Sequence, residues 1–61
     1  MKTINEMTRE EKIQELTDLV HKIIILSSFT PGELLKKEML CDVMSKEDVD
    51  RAFKKAFNKR G

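Results

Sequence analysis

"SSFTPGELL" (residues 27–35) is the stretch on which the reading of this chain turns. It holds the chain's one proline and one of its two glycines, set between two apolar runs. Thr30 and Glu33 stand three residues apart, the spacing of a capping box. In that motif the hydroxyl accepts from the backbone N–H three residues on, and the acid accepts from the cap's own N–H. Pro31 falls at the first helical position, where its missing N–H costs nothing. Phe29 and Leu34 flank the cap as a hydrophobic staple. The stretch therefore predicts a chain reversal followed by a helix that starts at residue 31.

The same device occurs twice more. Thr8 to Glu11 repeats it in full, and Ser45 to Asp48 repeats it with the shorter aspartate, flanked by Met44 and Val49 as a second staple. Each cap contributes about 1 kcal/mol, which matters in a small domain. Three starts predict three helices, over about 9–26, 31–41 and 46–59, and hence an all-α, helix-turn-helix-like domain spanning residues 8–61. Residues 1–7 are expected to form an arm that orders on contact or frays.

Periodicity gives the predicted core. The first helix lines up Ile13, Leu16, Val20, Ile23 and Ile24, with Leu19 and Leu26 beside them. The second offers Leu34, Leu35, Met39 and Leu40. The third offers Val49, Ala52, Phe53, Ala56 and Phe57, so Phe53→Ala or Phe57→Ala is expected to cost about 3 kcal/mol.

The totals exclude several function classes. A chain of 61 residues buries only about 60% of its unfolded surface, so its core is marginal without help. One cysteine, Cys41, forms no internal disulfide, and one histidine with one cysteine makes no zinc site. Cys41 reads as a small buried hydrophobe in a reducing compartment, and Met39 and Met44 as core filler. The longest apolar run, Ile23–Leu26, is four residues against the roughly 20 that span a bilayer, and no apolar leader is evident. A cytosolic place is expected. No nucleophile–base pair, phosphate-cradling loop or metal cluster can be assembled, so neither catalysis nor a cofactor is expected. His21, one step off the apolar stripe, reads as a boundary histidine.

Charge is plentiful and nearly balanced: 12 basic and 11 acidic side chains. It is uneven along the chain, however. Residues 51–61 carry Arg51, Lys54, Lys55, Lys59 and Arg60 and no acid. Such a basic face can hold phosphates, or lie solvated and complement the helix dipole. Glu47, Asp48 and Asp50, at the start of the same helix, suit the dipole and would repel phosphate. Glu10, Glu11, Glu15 and Asp18 give the first helix an acidic outer face. Its apolar side chains cover more than one stripe, which marks Leu19, Ile23, Ile25 and Leu26 as a candidate protein interface.

Residues 29–61 resemble the helix-turn-helix half of a winged-helix domain. The resemblance rests on Phe29-Thr30…Glu33-Leu34, then Ser45…Val49-Asp50-Arg51-Ala52, and the closing Arg60-Gly61. It implies a wingless DNA-binding core whose groove-facing candidates are Lys46, Asp50, Arg51, Lys54 and Lys55, with Lys59 and Arg60 holding phosphates. Two functions follow as expectations. One is a small non-enzymatic regulator that binds DNA through its third helix, as a homodimer through its first. The other is a protein-binding modulator (an inhibitor, adaptor or antirepressor) acting through the apolar surplus of helix one.

Overall fold

The computed structural model describes residues 3–26 and 30–60, and the side chains of all of these except Leu26, Lys59 and Arg60. A 3-10 turn at Ile4–Glu6 leads into α1 (Arg9–Leu26), α2 (Pro31–Val43) and α3 (Lys46–Arg60), with no strand among the described residues. The all-α, three-helix fold predicted from the sequence is the fold observed. α2 runs two residues further than expected and α3 one.

The starts are fixed by the caps. Thr8 Oγ1 accepts from Glu11 N–H at 3.2 Å, and Glu11 Oε1 accepts from Thr8 N–H at 3.3 Å. At α2 both halves of the box are again made, Glu33 N–H to Thr30 Oγ1 and Thr30 N–H to Glu33 Oε2. At α3 the hydroxyl half is made, Asp48 N–H donating to Ser45 Oγ at 3.2 Å. The Asp48 carboxylate turns instead to Arg9. The staple proposed for Phe29 lies outside the described residues. Met44 and Val49 are both half-buried against the core.

The core is an α1–α3 sandwich. Ile13, Leu16, Leu19 and Val20 from α1 meet Ala52 and Ala56 from α3, and Leu40 is the single side chain that α2 buries among them. The two alanines let the helix backbones approach closely. Thr17, wholly buried on the same face, donates to Ile13 O at 2.7 Å and reaches Ala52 O at 3.4 Å, so its hydroxyl is satisfied. Ile4, which opens the 3-10 turn, and Met7, which follows it, pack against this core.

Several burial expectations are corrected. Leu34, Leu35 and Met39 are exposed, because α2 turns Leu40 inward and carries the other three around to solvent. Phe57 is 54% exposed, while Phe53 stays half-buried. Cys41 is half-buried against the core.

α1 packs extensively on α3 and more lightly on α2, and α2 and α3 scarcely touch one another. Two ion pairs, one exposed and one part-buried, help to hold α2 to α1: Lys22 Nζ to Glu33 Oε1 at 3.1 Å, and Lys36 Nζ to Glu15 Oε2 at 2.8 Å. Such pairs contribute little individually.

Candidate functional site

Three surfaces carry the side chains with functional potential. The first is the face of α2 turned from the core. Leu35, Met39 and Val43 recur every fourth residue, so they stack along one side of the helix. Leu35 is 59% exposed and the other two nearly half. Glu38 and Asp42, both exposed, run beside this stripe. Leu34, also exposed, lies about 100° round the helix from Leu35.

The second surface is α3. Lys46, Arg51, Lys54 and Lys55 are all exposed, so the described members of the predicted nucleic-acid set face solvent. The side chains of Lys59 and Arg60 lie outside the described residues. An open groove of about 680 Å³ runs along the helix from Glu47 to Phe57, with Val49, Phe53 and Phe57 as its apolar side.

At the base of α3, Arg9 reaches across from α1 and clamps Asp48 side-on. Nε donates at 2.9 and 2.8 Å to the two carboxylate oxygens, and Nη2 donates at 2.6 Å. The carboxylate is 8% exposed and the guanidinium side chain 63%. The Arg9 hydrogen bonds hold the Asp48 carboxyl below its usual range against the opposing effect of desolvation, with smaller help from Ser45 and Arg51. The same contact raises Arg9. Of the three acids expected to repel phosphate, one is thus neutralised, while Glu47 and Asp50 remain at the surface.

The third is a cleft of about 460 Å³ between α1 and α2 that includes Asp18, His21, Lys22 and Glu33. His21 is half-buried, and its Nε2 is buried with no hydrogen-bond partner among the described residues. Lys22 is the main cause of a lowered Glu33 carboxyl, and the Thr30 N–H adds to it while desolvation opposes. Among the described residues, no three of His, Cys, Asp and Glu are grouped to hold a metal ion.

The predicted helix-one interface divides. Leu19 is buried in the core and is not available to a partner, which corrects that assignment; its side chain fills the seam that α1 needs for its own packing. Ile23 is half-buried, Ile25 is 55% exposed, and the Leu26 side chain lies outside the described residues. The apolar surplus is therefore carried less by α1 than by α2.

Set against known protein families, characterised proteins and solved structures, the chain matches none. No helix among the described residues is long and apolar enough to cross a membrane.

Proposed function

We propose that this chain is a small non-enzymatic, cytosolic regulator that works by binding another protein on the exposed face of α2. The observation that carries this reading is the Leu35–Met39–Val43 stripe, on a helix that gives the core only Leu40. An exposed apolar stripe of this kind marks an interaction site. The occupant is a protein helix with its own apolar stripe, flanked by lysine or arginine to meet Glu38 and Asp42. In-cell photo-crosslinking from position 39, with position 10 as control, would identify the partner. The purified partner should then bind in a 1:1 complex that Leu35→Glu abolishes while the helical circular dichroism is unchanged. Equal crosslinking from positions 39 and 10, or binding that survives Leu35→Glu, would refute the reading.

A second reading keeps DNA as the partner of α3, with a homodimer formed through α1. It is favoured by the Arg9–Asp48 pair, which withdraws one acid from a helix that presents Lys46, Arg51, Lys54 and Lys55. The two-residue connection between α2 and α3, and their scant contact, are less than the packed pair with a 3–4-residue turn of a helix-turn-helix. Duplex affinity should fall steeply with salt if this reading holds. Undetectable binding at about 50 mM salt, or binding indifferent to salt, would exclude it.

A further inference from the structure

We infer that α3 pairs with α3 of a second copy of this chain, antiparallel, through the Val49–Phe53–Phe57 edge. This goes beyond the proposed function and uses a different face of the molecule. The three side chains recur every fourth residue and form the apolar side of the α3 groove. Val49 and Phe53 are half-buried, whereas Phe57 is 54% exposed. A phenylalanine on this scale of exposure, one turn beyond a half-buried one, continues the core outward with nothing among the described residues to cover it.

The charges beside the edge say what covers it. On the flank beside this edge Asp50 is followed one turn later by Lys54, and Glu47 and Arg51 also line the groove. Among the described residues neither Asp50 nor Lys54 forms an ion pair within the chain, although they stand four residues apart. A two-fold axis perpendicular to an antiparallel helix pair brings each flank against its own copy running in reverse. Centred on Phe53, this places Val49 opposite the second copy's Phe57 and Asp50 beside the second copy's Lys54. The two-fold axis forms this ion pair twice. Each positive helix end also lies near the other helix's negative end. A parallel pair, with its axis along the helices, would not set the flank against its own reverse.

α3 is about 22 Å long, so the interface sits at the low end for specific contacts and the dimer should be weak. Sedimentation equilibrium from about 10 µM to about 1 mM should therefore show a monomer–dimer transition. Phe57→Glu, a change at an exposed site, should weaken it at least tenfold and leave the helical circular dichroism intact. Asp50→Lys and Lys54→Asp should each weaken self-association. Mixed together, these two variants should pair with one another at least as tightly as the unaltered chain, since both contacts are then opposite in sign. A control mixture of Glu10→Lys and Lys37→Asp carries the same charge changes away from α3 and should show no such gain. A monomer throughout the range overturns the inference. So does a dimer indifferent to Phe57→Glu, or a control mixture that pairs as well as the test mixture.

Discussion

Replacing Leu40 by alanine should loosen α2 from the rest of the protein without unfolding α1 and α3. Leu40 has no exposed surface and is the one α2 side chain in the buried core. Buried leucine-to-alanine changes cost 2–5 kcal/mol, from lost transfer energy plus the cavity left behind; about 3 kcal/mol is a fair centre. A chain of this length has roughly 3–9 kcal/mol of total stability, so the loss is a large share of it. Its effect should concentrate where alternatives are few. α2 otherwise relies on half-buried Cys41 and on two ion pairs at or near the surface, whereas α1 and α3 share six buried hydrophobic side chains among the described residues and the Thr17 hydroxyl bond. The assay is native-state amide hydrogen exchange followed residue by residue. Amides in α2 should exchange about two orders of magnitude faster in Leu40→Ala, while those near Leu16 and Ala52 should speed up by far less than this. A uniform rise across all three helices would show that α2 folds as one unit with the others, and would refute the reasoning.

Other substitutions have distinct signatures. Phe53→Ala should cost about 3 kcal/mol in a denaturant melt, and Phe57→Ala no more than about 0.5 kcal/mol at a concentration where the chain is monomeric. A large loss at Phe57 under those conditions would contradict its exposure. Thr30→Ala and Thr8→Ala should each cost about 1 kcal/mol by the same melt, because each removes the hydroxyl half of a complete capping box. Asp48 has a depressed carboxyl pKa in the fold, so its contribution is complete above its ordinary value of 3.8 and disappears as pH falls through the lowered folded value. Asp48→Asn should therefore be less stable than the unaltered chain near pH 7, with the two melting temperatures converging in acid. A gap that is constant with pH would show that the Arg9 contact contributes nothing.

What could be read in advance was local. A capping box is fixed by residues three apart, and the three helix starts fell where the hydroxyl–acid spacing put them. Which side of a helix faces inward is another matter when two sides are apolar. In α2, Leu40 lies about 140° round the helix from Leu35, so the sequence offers two apolar faces, and only docking against α1 chooses between them. In α3, a step of four residues overshoots a full turn by about 40°, so Phe57 drifts about 80° from Val49 and leaves the core. Asp48 failed differently. Its spacing from Ser45 read as a cap partner, and a residue that far along the chain from Arg9 gives no local sign of the clamp. An aspartate in place of the expected glutamate was the one available hint, being too short to reach back well and therefore free to turn elsewhere.

The same shortage of buried surface links the fold to the proposed binding. Two of the seven buried hydrophobics among the described residues are alanines, so the core contains few large side chains. The Leu35–Met39–Val43 stripe of α2 is apolar surface that the monomer leaves uncovered. Covering that stripe would restore the burial which the monomer lacks, so a partner that grips the Leu35 face must also stabilise α2 against opening. Ligand linkage makes this quantitative: a partner present at 100 times its Kd adds about 2.7 kcal/mol to whatever state binds it. That is nearly the loss expected from Leu40→Ala. The partner should therefore return the α2 amides of that variant close to their original protection, while a partner bound only to α3 should leave them fast. Rescue of exchange in α2 thus tests which helix the partner holds, independently of any measurement of affinity.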